Sequence, residues 1–108
     1  MSKHDIIINK IKAIASGLFK EKKGEVYIFG SQARREANEF SDWDLLILTE
    51  EKLTREENFN KYGFPFCEMG WSQQEDINPL VYSKDEWASQ KQTYFYHNVM
   101  SDAIKIYS

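Results

Sequence analysis

The run Gly30-Ser31-Gln32-Ala33-Arg34-Arg35-Glu36-Ala37-Asn38-Glu39-Phe40-Ser41-Asp42-Trp43-Asp44-Leu45-Leu46-Ile47 decides how the chain reads. It opens where a short apolar run, 26–29, stops at Gly30-Ser31, and it closes in a second apolar run, 43–49. Both runs are apolar on both faces and only a few residues long, the pattern of strands buried in the middle of a sheet. A Gly-Ser break between a buried strand and a helix start is a place where phosphate binds. First-turn N–H groups are free there, and glycine lets an anion approach the backbone. The Ser31 hydroxyl adds a donor. Asp42 and Asp44 stand two apart at the start of the next strand, so alternation puts both carboxylates on one face, ~6–7 Å apart at the backbone. Such a pair suits Mg²⁺, a hard ion that prefers carboxylate and phosphate oxygens. Two ions ~3.5–4 Å apart activate an attacking oxygen and stabilise a leaving pyrophosphate. A Gly-Ser turn alone, or an Asp-x-Asp alone, is common in strands and turns that do no chemistry. Meaning comes from their order: strand, Gly-Ser, short helix, loop, Asp-x-Asp, strand. Trp43, between the two acids, points to the opposite face and is expected in the core.

Working outward, 5–21 forms an amphipathic helix with Ile7, Ile11, Ile14 and Leu18 on one face, stopping at Lys22-Lys23-Gly24 with Gly24 as a left-handed cap. A short helix is expected over 32–37 and a loop over 38–41. Thr54 and Glu57 form a capping box that opens a polar helix ending before Tyr62-Gly63. Segments 64–71 and 77–82 read as strands joined by a polar turn over 72–76. Pro65 and Pro79, which lack a ladder donor, belong at strand ends or on an edge. Ser83 and Glu86 make a second capping box for a helix over 84–92. A helical turn over 94–101 and a strand over 104–107 follow. The expected architecture is α+β: a mixed sheet of four to five strands flanked by helices, in a single domain over 1–108.

With 108 residues and 42% hydrophobic residues, the chain can bury a core. Its 14 Lys+Arg against 17 Asp+Glu give a net charge of −3 and a pI near 5.4. That balance excludes a generally basic nucleic-acid coat but not the binding of one nucleotide. No duplex nucleic acid and no membrane are expected as partners. A lone cysteine, Cys67, cannot form an intrachain disulfide, no apolar stretch approaches the ~20 residues of a membrane span, and a cytoplasmic location is expected. His4 and His97 belong to no zinc-ligand spacing, and Cys67 lies near no histidine in sequence, so packing roles are expected for all three. Trp87 and the run Tyr94-Phe95-Tyr96 are read as covering the sheet or a partner chain.

The long central motif resembles the signature of the minimal nucleotidyltransferases of the DNA polymerase-β superfamily. Gly30, Ser31, Ala33, Arg34, Ala37, Ser41, Asp42, Asp44, Leu45 and Leu46 fall on that pattern, and the order of elements extends the likeness over nearly the whole chain. The resemblance implies metal-dependent transfer of a nucleoside monophosphate from a nucleoside triphosphate, ATP in the first instance, to an acceptor hydroxyl. It implies that Gly30 and Ser31 hold the triphosphate and that Asp42 and Asp44 hold Mg²⁺, two ions in an active enzyme. Arg34 either reaches a phosphate or forms an ion pair. The resemblance also implies a bacterial two-protein module in which a small helical protein, or a second copy of the chain, supplies the acceptor surface. The sequence departs from the pattern twice. Arg35 stands where the family carries glycine, which a helix tolerates and a tight turn does not. Active relatives carry a third carboxylate on a later strand, and Asn78 falls at that place. An amide neither accepts a proton nor neutralises a metal. Asp76, one pleat away, or Glu68, read on the neighbouring strand, supplies the missing ligand; otherwise the chain is a weak or inactive relative that binds nucleotide or a partner, antitoxin-like.

Overall fold

The computed structural model describes residues 1–38 and 41–108. In chain order the elements are α1 (Lys3–Leu18), β1 (Gly24–Phe29), α2 (Ser31–Arg34), β2 (Trp43–Thr49), α3 (Arg55–Asn58), α4 (Phe64–Ser72), β3 (Ile77–Ser83), α5 (Lys84–Ala88), α6 (Tyr94–Asp102) and β4 (Ile104–Tyr107). The strands form one sheet in the order β3-β2-β1-β4. β1 runs antiparallel to β2 and to β4, while β2 and β3 are parallel, so the sheet is mixed as expected.

Strand alternation divides the apolar residues between two layers. Val26 and Ile28 of β1 and Trp43, Leu45 and Ile47 of β2 face α1 and α4, where they meet Ile7, Ile11, Ala15, Phe19, Tyr62 and Phe66. Leu46 and Leu48 face the other way, against Trp87 of α5 and Val99 of α6. β2 is therefore covered on both sides, as its unbroken apolar run requires. Trp43 is 2% exposed and its ring lies 5.0 Å from that of His4, the core position its parity predicts. Burying one such side chain contributes about 1.5–3 kcal/mol. Both capping boxes are present: Thr54 with Glu57 on α3, and Ser83 with Glu86 on α5.

The segment expected as a strand over 64–71 is a helix. α3 continues through a π turn, Phe59–Gly63, directly into α4. The π turn answers a problem that Pro65 creates. Proline inside a helix removes one hydrogen bond and presses its ring on the carbonyl four residues back. Here the Phe64 N–H donates five residues back, to the Phe59 carbonyl, and the helix passes the proline without ending. Pro79 lies on β3, an edge strand, where its missing N–H costs no ladder bond. Gly24 is not a left-handed cap. It is the first residue of β1, and it lacks a side chain because a Cβ there would overlap the Phe19 ring. The expected loop over 38–41 falls partly on residues 39 and 40, which lie outside the described residues.

Candidate functional site

β1 delivers Gly30 to the edge of the α6-side face with φ 74° and ψ −155°, a backbone region that only glycine occupies readily. A second constraint comes from across the sheet. A Cβ on Gly30 would lie 2.6 Å from Oδ2 of Asp44, so the aspartate carboxylate is seated against the glycine backbone. Ser31, half-buried, starts α2. The first intrahelical bond runs from the Arg34 N–H to the Gly30 carbonyl at 3.1 Å, leaving the N–H groups of Ser31, Gln32 and Ala33 without a partner inside the helix. α2 is one turn long, so its contribution to an anion is these N–H groups rather than a summed dipole. It ends at Arg35 with φ 57° and ψ 35°, the left-handed conformation, and the short helix expected to 37 is cut off there. The position where the family carries glycine is thus a tight turn after all, held by an arginine at a cost of about 1–2 kcal/mol. Buried Gln32 donates from Nε2 to the Ser41 carbonyl at 3.4 Å, tying α2 to the start of β2.

Asp42 is exposed just before β2, and Asp44 is half-buried within it. By alternation both share the face of Leu46 and Leu48. In the parallel β2–β3 pair the Cα partner of Asp44 is Asn78. The Asn78 amide donates from Nδ2 to Oδ2 of Asp42 at 3.1 Å. Burial pushes the Asp44 carboxyl above the usual carboxylate range. The neighbouring Asp42 charge adds to that push, while the nearby Asn78 amide and the Arg34 charge oppose it.

Arg34 lies close enough for its charge to act on Asp44, but its guanidinium is already paired. Nε donates to Glu36 at 2.9 Å and an η nitrogen to Asp102 at 2.6 Å. Asp102, at the end of α6, is a residue that sequence reasoning missed; nothing local marks a pairing across 68 positions. Asp76 is exposed before β3, and its carbonyl accepts from the Trp43 N–H at 2.8 Å. Glu68 is exposed on α4, not on a strand beside Asn78. Among the described residues no group of three His, Cys, Asp or Glu side chains converges on one point. The structure therefore brings together Gly30, Ser31, Asp42, Asp44 and Asn78, with Arg34 at the rim, and leaves Asp76 and Glu68 outside. Cys67 is buried, and burial pushes its thiol up, the opposite of a nucleophile. His4 packs on Trp43 and approaches the Gln32 carbonyl at 3.3 Å. Among the described residues no helix is long and apolar enough to cross a membrane.

The family model described as "Polymerase beta, Nucleotidyltransferase" matches residues 9–108. Among solved structures, the fold is similar to a protein of Sulfolobus solfataricus assigned as a nucleotidyltransferase, with TM-score 0.54, 19% identity, and 97% of this chain and 87% of that chain covered. A chain of a toxin–antitoxin complex with AMP-PNP aligns with TM-score 0.59 and 16% identity over 91% of this chain and 72% of that one. A chain of the Shewanella oneidensis complex of a tri-AMPylated HEPN toxin with MNT antitoxin aligns with TM-score 0.56 and 12% identity over 95% of this chain and 71% of that one. At these identities the likeness is one of fold. No curated protein matches the chain in sequence.

Proposed function

The chain belongs to the polymerase beta nucleotidyltransferase family, and from that premise we propose that it transfers a nucleoside monophosphate from a nucleoside triphosphate, ATP in the first instance, to a hydroxyl on a partner protein. The observation that carries the reading is the seating of Asp44 against Gly30, which sets the carboxylate pair beside the free N–H groups of α2. Phosphoryl transfer needs little covalent help from a protein; it needs phosphates held and charge placed. Gly30 and the N–H groups of Ser31, Gln32 and Ala33 hold the outer phosphates, with the Ser31 hydroxyl as a further donor. Arg34 adds a positive charge at the rim and is steadied by Glu36 and Asp102.

Asp42 and Asp44 are hard oxygen donors on one face, and that donor set fits Mg²⁺ together with triphosphate oxygens. When bound, the ion supplies charge stabilisation at the phosphate under attack. Asn78 neither accepts the acceptor's proton nor adds a charge. The acceptor surface belongs to a second protein, because the described face is occupied by the nucleotide site and the short helices α5 and α6. A partner protein is supported by the two toxin–antitoxin likenesses, and the family resemblance implies a small helical one; a second copy of the chain is the other source.

The test is incubation with Mg²⁺ and labelled ATP, with and without the protein that co-purifies, beside an Asp42→Ala/Asp44→Ala variant. Label moved to the partner by the wild type and not by the variant supports the enzyme. A second reading has its own observation in the Asn78 amide on Asp42: a relative that binds nucleotide and partner, antitoxin-like, without turnover. It is the outcome if nucleotide binds and no label moves under any condition.

A further inference from the structure

Two carboxylates on one strand face repel each other. In this chain the repulsion is met by a side chain. The Asn78 amide donates to Asp42 at 3.1 Å, and its strand position lies directly opposite Asp44. The β2–β3 register fixes it there, because Asn78 is the Cα partner of Asp44. A carboxylate at position 78 would add a third negative charge where the amide now brings two donors. The ledger of charge is then specific. Asp42 and Asp44 carry −2 together, which one divalent ion balances. A second ion would meet no further protein charge, since among the described residues no third acidic, His or Cys ligand joins the pair.

We propose that Asn78 makes this a one-ion site: its amide ties Asp42 to the β3 position opposite Asp44 in the absence of metal and leaves protein ligands for a single divalent ion in its presence. Asn78 is a positioning residue in this scheme, acting through the Asp42 carboxylate. The proposal rests on the nucleotide-and-metal reading above, and its experiment separates the two.

Mn²⁺ is titrated into the protein saturated with AMP-PNP, and the ion bound per chain is counted by electron paramagnetic resonance. The wild type should bind one Mn²⁺ per nucleotide-loaded chain in total, the ion on the bound nucleotide's phosphates included, and Asn78→Asp should bind two. Two ions on the wild type overturn the one-ion proposal alone, whereas no bound ion and no bound nucleotide overturn the reading beneath it. Asp76→Asn should leave the count at one; a loss of the ion would make Asp76 a ligand and overturn the assignment. Thermal unfolding in EDTA supplies a readout independent of loading. Asn78→Ala should melt about 2–4 °C below the wild type, the shift expected for one lost hydrogen bond between exposed side chains. Asn78→Asp should melt lower still in EDTA and recover on adding Mg²⁺. If Asn78→Asp does not fold, the wild-type count and the Asn78→Ala melt still decide. An Asn78→Ala protein that melts with the wild type in EDTA refutes the amide's holding role.

Discussion

Gly30→Ala is the substitution that tests most of the site at once. Two costs fall on it. The backbone at φ 74° and ψ −155° lies in a region essentially reserved for glycine, worth about 1–3 kcal/mol for any other residue. The new methyl would also lie 2.6 Å from Oδ2 of Asp44, so the carboxylate must swing away. Its seat against the glycine backbone goes with it, a smaller share because Asp44 is half exposed. A loss of about 3 kcal/mol is expected, a large part of the 5–15 kcal/mol typical of a whole domain. Urea unfolding followed by tryptophan fluorescence reads it. Gly17→Ala is the internal control: nothing lies within 4 Å of its Cβ position, it is in α1, and it should gain about 0.5–1 kcal/mol. In an Asp44→Ala background Gly30→Ala should cost only the backbone share, the difference measuring the contact. A Gly30→Ala protein within about 1 kcal/mol of the wild type would refute both the strain and the seating of Asp44.

Arg35→Gly should stabilise the fold by about 1 kcal/mol, because the left-handed turn at φ 57° suits glycine, and Arg35→Ala should not; the urea midpoint at constant slope reads both. Glu51 is held at a pKa of about 2, first by Lys22 and then by Lys61 and Tyr62. Its folded value lies below the ordinary 4.5, so its contribution is full above that value and is lost as pH falls toward 2. Glu51→Gln should therefore melt below the wild type at pH 7 and with it near pH 2; curves that stay parallel contradict the assignment. Asp44 has the opposite sign. Its folded value is raised, chiefly by burial, so ionising it opposes folding as pH rises past the ordinary 3.8. Asp44→Asn in EDTA should be the more stable protein at pH 7, with the advantage gone in acid.

The parts of the fold fixed by local pattern were legible. β2 has an unbroken apolar run, both capping boxes state their own helix starts, and the parity of Trp43 against Asp42 and Asp44 follows from alternation alone. That Asn78 comes to the site was readable only through the family resemblance, and its place opposite Asp44 follows from a parallel β2–β3 pairing that no local pattern declares. The segment 64–71 was misread because Pro65 signals a break, and a π turn that absorbs a proline has no signature in a short apolar run. A helical signal was present nonetheless. Tyr62, Phe66, Cys67 and Gly70 fall on one buried stripe at helical spacing, and that stripe spans both sides of the proline. The pairing of Arg34 with Asp102 was not legible at all, since it depends on where α6 comes to rest.

Pro79 was described as an edge residue whose missing N–H costs the sheet nothing, and the same missing N–H has a chemical consequence for its neighbour. Asparagine ages to aspartate when the backbone nitrogen of the following residue attacks the side-chain carbonyl and closes a succinimide ring. The nitrogen that follows Asn78 belongs to proline, which has no hydrogen to lose and is already closed in a ring of its own. The amide that donates to Asp42 is thus sealed against that spontaneous route to a carboxylate. The charge of the site is set when the chain is made and does not drift by that route.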